Sequence, residues 1–198
     1  MQLKEIKTNK EHYFVDENGR KQGEHLVLYD DGRIHLRQFF KDDIMHGACK
    51  SFFVNGNTSR QCEYREGMYH GEYKSFSYDG RIERVCFYEK GFLHSEYKSY
   101  YVNGQLFIHG FYKNDHKIGE NKQYYKNGQL EIHCFFKDDI RHGEYRKYNE
   151  NGELVYCSFF ENGTEITDQI KQMVKDINNI TDKEKFLIKI KYGFLLCT

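Results

Sequence analysis

Glu120-Asn-Lys-Gln-Tyr-Tyr-Lys-Asn-Gly128, followed by Gln129-Leu-Glu-Ile-His-Cys-Phe-Phe-Lys137 and Asp138-Asp-Ile-Arg-His-Gly143, reads as strand, turn, strand, turn. Aromatic and β-branched residues favour a pleated backbone, and an Asn-Gly pair supplies the positive backbone angles of a tight hairpin. Outward from this unit, Gly128 belongs to the series Gly32, Gly56, Gly80, Gly104, Gly128 and Gly152, spaced by 24 residues and each preceded by Asn or Asp. A second series, Gly47, Gly71, Gly119 and Gly143, keeps the period with Ser95 in its open slot, and Asp43, Gly67, Gly91, Asp115, Asp139 and Gly163 form a third. Self-similarity at a fixed period is the mark of a repeat array.

Two strands and their turns fit into 24 residues, whereas two packed helices do not. Leucine-rich repeats share the period, but their leucine ladder is absent. The expected fold is an all-β repeat, an elongated antiparallel meander of β-hairpins with six 24-residue repeats over 24–167. An N-terminal segment with a half-repeat (Tyr13 to Gly23) fills 1–23, and a short α-helical cap fills 168–198. Neighbouring strands lie about 4.8 Å apart, so each repeat advances about 10 Å and six make a rod on the order of 60 Å long.

That advance limits what equivalent residues can do together. Cys62, Cys86 and Cys134 share a slot with Gly110 among them. Mates about 10 Å apart cannot reach the roughly 4.4–6.8 Å span of a disulfide, so they read as small core residues. His46, His70, His94 and His142 form another column, too widely spaced to share a metal, and read as turn residues. Leu28, Phe52, Phe76, Tyr100, Tyr124 and Tyr148 occupy equivalent first-strand slots, and Phe40, Tyr64, Tyr88, Tyr112, Phe136 and Phe160 second-strand slots. Tyr29, Phe53, Tyr101 and Tyr125 sit beside the first column, so both faces of the sheet are expected to be aromatic.

Over 198 residues, 30 Lys+Arg balance 30 Asp+Glu, which removes the electrostatic drive toward nucleic acid. Only 38% of residues are hydrophobic while 17% are aromatic, so the core must be built largely from rings. A charged start, Met1 to Lys10, without an apolar run leads to the expectation of a cytoplasmic protein with six free thiols. Phe186 to Leu196 is too short and too charged to span a bilayer.

Arg65-Glu-Gly67-Met-Tyr-His70-Gly71-Glu-Tyr73, recurring as Lys137-Asp-Asp-Ile-Arg-His142-Gly143-Glu-Tyr145, resembles the MORN repeat. The variant form of that family is closer: Gly-Glu-Tyr-Lys-x-Tyr-Tyr-x-Asn-Gly-Gln-Leu is read at Ser95 to Leu106, with Ser for the leading Gly. The resemblance covers about three quarters of the chain, and the absence of Trp sets it apart from the standard unit. It implies a meander of hairpins that serves as a scaffold or docking surface, of a kind found in bacterial antitoxin-like proteins and in large DNA viruses.

No phosphate-cradling glycine loop, Cys-x-x-Cys, His-Glu-x-x-His or Gly-x-Ser-x-Gly is present, so neither an enzyme nor a cofactor is expected. The function expected is a non-enzymatic protein–protein interaction scaffold that docks a partner, or a second copy of itself, through an aromatic face. Tyr29, Phe53, Tyr101 and Tyr125 are the candidate docking row. Arg60 and Arg84 break the pattern in equivalent second-strand slots and mark a polar contact in repeats two and three. Phe194, Leu195 and Leu196 follow a helical pattern that starts near Thr167 and Asp168, and offer a further apolar contact. The alternative is peripheral membrane binding through the tyrosine rows and the Lys-rich C-terminal stretch.

Overall fold

The computed structural model describes residues 2–168 and Gln172. Its chain gathers into two compact units, Met1–Gln105 and Leu106–Thr198. The helical cap expected over 168–198, with Phe194, Leu195 and Leu196, lies outside the described residues apart from Asp168 and Gln172.

The first unit is built from β1 (Lys4–Lys7), β2 (Glu11–Val15), β3 (Lys21–Leu28), β4 (Ile34–Lys41), β5 (Ile44–Met45), β6 (Gly47–Phe52), β7 (Thr58–Arg65), β8 (Met68–Tyr69), β9 (Gly71–Phe76), β10 (Ile82–Glu89) and β11 (Phe92–Tyr100). The second holds β12 (Leu106–Lys113), β13 (His116–Tyr124), β14 (Leu130–Lys137), β15 (Ile140–Tyr148), β16 (Leu154–Glu161) and β17 (Thr164–Glu165). Within each unit successive strands pair antiparallel, with the short β5 and β8 sharing β4 and β7 with the strands β6 and β9 that follow them, the meander that the alternating strand and turn signals predict. The hairpin of β1 with β2 was not legible in the sequence, since Lys4-Glu-Ile-Lys7 has none of the aromatic content of the later strands.

The two turns of each repeat are exchanged in type relative to the sequence reading. At Asn127-Gly128 only the glycine is left-handed (φ 87), the Gly128 N–H donates to the Tyr125 carbonyl at 2.9 Å, and the Tyr125 N–H donates to the Gln129 carbonyl at 2.8 Å. That is a type I turn closed by a glycine bulge. The same geometry recurs at Gly32, Gly56, Gly80, Gly104 and Gly152. The two-residue turns with both angles positive are instead Asp42-Asp43, Glu66-Gly67, Lys90-Gly91, Asn114-Asp115, Asp138-Asp139 and Asn162-Gly163. Aspartate and asparagine enter this region more readily than other residues because their short polar side chains bond locally.

Two-residue turns are tied to the copy before them within each unit. The N–H of the second residue reaches back, from Gly67 to Met45 and from Gly91 to Tyr69 at 2.9 Å, and from Gly163 to Arg141 at 2.9 Å. Where that second residue is glycine, the apolar side chain after the preceding turn covers it, Ile44 over Gly67 and Ile140 over Gly163. Where it is aspartate, the carboxylate accepts the backbone N–H of Lys21 (Asp43, 2.7 Å) or Lys117 (Asp139, 2.8 Å).

With one layer of strands, few side chains are fully enclosed. Among the described residues the buried apolar ones are Cys49, Cys62, Cys86, Cys134 and Phe159, and the buried polar ones include His25, Gln22 and Ser158. The cysteines fall in a row across the strands, with His25 opposite Gln38, Cys49 opposite Cys62 and Cys86 opposite Tyr73 and Tyr97. In the second unit Asn121 opposes Gly110 and Cys134. Small residues alternate with large ones along this row, which lets neighbouring strands close at the usual spacing.

Candidate functional site

Strand alternation sorts the Gly-Glu-Tyr-Lys motif onto two faces. Glu72 pairs with Lys74 at 2.6 Å, Glu96 with Lys98 at 2.7 Å, Glu120 with Lys122 at 2.8 Å and Glu144 with Arg146 at 2.6 Å, so this face consists of short zwitterionic pairs. The residue between each pair, Tyr73, Tyr97, Asn121 or Tyr145, projects from the other face, together with the cysteine row. The two faces therefore differ in charge, a distinction that counting aromatic residues did not reveal.

Tyr29, Phe53, Tyr101 and Tyr125 are not strand residues. Each opens one of the glycine turns, half-buried. The Tyr29 hydroxyl donates to the Phe52 carbonyl at 2.6 Å, and the Tyr125 hydroxyl to the Tyr148 carbonyl at 2.8 Å, in each case joining a turn to the following repeat. The Phe53 ring lies 5.4 Å from that of Tyr78. Tyr101 lines a shallow cleft with Ser77, Arg81 and Val102. These rings act as fasteners between turns.

Arg60 and Arg84 lie on the aromatic face of the first unit. The pairing register sets Ser51, Arg60, Ser75, Arg84 and Ser99 in one line across β6, β7, β9, β10 and β11. Opposed antiparallel side chains project to the same side, so two guanidinium groups rise from one row with a serine on either flank, their strands about 10 Å apart. Among the described residues, neither has a carboxylate within 4.0 Å. Arg60 reaches the Tyr69 hydroxyl with one terminal nitrogen at 3.4 Å, while its buried Nε has no partner, and neither has the buried Oγ of Ser99.

Rings wall the row on one side. Tyr64 and Tyr69 lie 4.6 Å apart, Tyr69 and Tyr88 5.2 Å, and Tyr73 meets Tyr88 edge-on at 5.7 Å. Burial holds the Tyr64 and Tyr73 phenols above their ordinary values and pushes Tyr88 up to about 12, so these rings stay neutral. Burial works against the charge of Arg60, but the neighbouring Tyr69, Cys62, Cys49 and Tyr64 groups outweigh it and raise its pKa. The result is a cationic strip without acidic partners beside a neutral tyrosine surface. Sequence reasoning found both arginines as departures from the repeat, but missed the serines and the lack of acid because those depend on the pairing register.

The family described as MORN repeat variant matches residues 93–114, 117–138 and 141–163, three consecutive hairpins. No curated protein matches the chain. Among solved structures, "Crystal structure of GtfA/B complex bound to UDP and GlcNAc" is similar at 9% identity over 89% of this chain with a TM-score of 0.17. The chain spans 27% of that structure's length, and a likeness of this size carries no inference. Arg60 and Arg84 precede the matched residues. The hairpins of residues 93–163 are three consecutive repeats that match the MORN repeat-variant family.

Proposed function

We propose that the chain is a non-enzymatic protein–protein interaction scaffold whose aromatic face in the first unit docks an acidic segment of a partner protein. MORN repeats are in general protein- and membrane-interaction modules. The observation that carries the reading is the pair Arg60 and Arg84, with no carboxylate within 4.0 Å among the described residues and neutral rings beside them, while Lys74 and Lys98 on the opposite face are already paired. Cations left without partners beside aromatic surface favour an incoming anion, since charge complementarity steers encounter and sets register. Two carboxylates at positions i and i+3 of a polyproline II segment, which makes one turn per three residues, share a face about 9 Å apart and match the separation of the two strands.

A fluorescently labelled peptide with Glu at i and i+3, titrated into the full chain by anisotropy at low salt, tests this. Arg60→Gln and Arg84→Gln should each weaken binding by up to about fivefold, as an exposed ion pair does, and the double variant should abolish it. Added salt should weaken the wild-type complex. Equal binding by wild type and the double variant sinks the reading. Vesicle binding that depends on the same arginines would replace the partner protein by an anionic membrane surface.

A further inference from the structure

We propose that Cys49 and Cys62 form a redox-active dithiol, which a small peroxide converts to a reversible cross-strand disulfide. The two residues oppose each other directly in the antiparallel pair β6–β7, and each thiol is the largest influence on the protonation of the other. Cα atoms opposed in this way lie about 4.5–5.5 Å apart, inside the roughly 4.4–6.8 Å range of a disulfide. The remaining cysteines of the row have no such mate: Cys86 faces Tyr73 and Tyr97, and Cys134 faces Asn121 and Tyr145.

The surroundings activate one thiol of the pair. The Cys49 thiol is held below its ordinary value, first by the opposed Cys62 thiol and then by the positive charge of Arg60, while burial opposes both. Cys62 is shifted upward, so it retains the proton that stabilises a Cys49 thiolate. Burial pushes Cys86 up to about 11 against the pull of Arg84 and Tyr88, and raises Cys134 against that of Arg141 and Lys117. Arg60 has no acidic partner to cancel its effect, and the thiolate is the nucleophilic form.

The chemistry balances with hydrogen peroxide as the oxidant. The Cys49 thiolate attacks one peroxide oxygen, the O–O bond breaks, and the departing hydroxide takes a proton to leave as water, giving a sulfenic acid on Cys49. Cys62 then attacks that sulfur, the S–O bond breaks and the oxygen leaves as a second water with the Cys62 proton. Two thiols are oxidised to one disulfide, and the peroxide is reduced to two waters. Each cysteine is only 2% exposed, so a small oxidant is favoured over bulky glutathione disulfide.

Closure of the bond follows from the register. The Glu63 carbonyl accepts the His70 N–H, so Glu63 aims its backbone groups away from β6, and Cys62, one residue earlier, aims its own toward Cys49. Cys49 and Cys62 are thus a hydrogen-bonded pair with Cα atoms about 5.5 Å apart, the commonest span of a disulfide, so the bond can close without moving the strands apart.

Full-length protein treated with peroxide at pH 7, alkylated and mapped by mass spectrometry provides the test. The expected product is a Cys49–Cys62 linked peptide pair that forms before Cys86 or Cys134 is modified, is not produced by glutathione disulfide, and disappears on reduction. In Cys62→Ser, Cys49 should be trapped as a sulfenic acid by a dimedone-type reagent. Circular dichroism checks that this variant is folded, and the wild-type linkage stands as the readout if it is not. Earlier oxidation of Cys86 or Cys134, linkage of Cys49 to any other cysteine, or sulfinic acid on Cys49 with Cys62 still free overturns the proposal.

Discussion

The guanidinium of Arg81 donates a hydrogen bond of 2.6 Å to the carbonyl of Val102, one repeat further along the chain, while it is ion-paired to Asp79. Asn55 makes the same link with its own amide, to the Tyr78 carbonyl at 2.8 Å, and so does Asn127, to the Glu150 carbonyl at 2.9 Å. A turn written Asp-Gly-Arg and a turn written Asn-Gly therefore solve one problem, joining consecutive glycine turns, with different donors. Arg81→Ala should destabilise the protein by about 1 kcal/mol in urea unfolding, the usual worth of one such bond. Replacing both Asp79→Asn and Arg81→Gln should restore most of that loss. If the double variant were as unstable as the single one, the two turn spellings would not be equivalent.

Ser95 stands where four other repeats place glycine, and it has the left-handed φ of 70 that they have. A side chain there crowds the following carbonyl, whereas glycine does not. Part of the gain from glycine is offset by its greater freedom when unfolded. Ser95→Gly should raise stability by about 0.5–1 kcal/mol, read as a higher thermal midpoint. The reverse change at an equivalent slot, Gly143→Ser (φ 90), should lower it by a similar amount.

The period and the strand content were legible because both are properties of residue type at fixed spacing. The turn types were not: Asn127-Gly128 and Asp138-Asp139 both contain residues that tolerate positive angles, and only the loop length between paired strands decides which turn uses them. Cys62 was legible as a small core residue, but its partner Cys49 lies in a column filled elsewhere by His25, Tyr73, Tyr97, Asn121 and Tyr145, so nothing in that column marked it. The arginines were found by breaking their column. The roles of Tyr29 and Tyr125 were missed because a hydroxyl bonded to a main-chain carbonyl leaves no trace in residue pattern.

Gly110 needs to be small for a reason that has nothing to do with its backbone angle. A Cβ at that position would stand 2.3 Å from Nδ2 of Asn121, directly opposite on β13. Gly110→Ala therefore forces the Asn121 amide aside and should cost about 1–2 kcal/mol, within the range for overpacking. Asn121→Ala in the same chain should recover part of that cost. A double-mutant cycle with a coupling of about 1 kcal/mol is the expected result, and strict additivity would mean that the two side chains do not compete for the same space.

His116 and Asp139 couple one two-residue turn to the preceding copy and give the chain a pH response. Imidazole Nδ1 lies 2.6 Å from the carboxylate, and this bond, more than the charge attraction, raises the pKa of His116. Asp139 is held below the usual carboxylate range, first by the Lys117 N–H and then by His116. A raised imidazole stabilises the fold fully below its unfolded value of about 6.5, and the effect is lost as pH rises through the higher folded value. The depressed carboxylate contributes above its unfolded value of about 3.9 and fails as pH falls through the lower folded one. Buried His25 acts in the opposite sense, because burial lowers its pKa and protonation below about pH 6.5 costs stability. Comparing His116→Gln with wild type at each pH removes the His25 effect from the difference. The variant should melt below wild type at pH 5.5, and the gap should close as the imidazole loses its proton toward pH 9; a gap that stayed constant across that range would assign His116 a packing role instead of an ionic one.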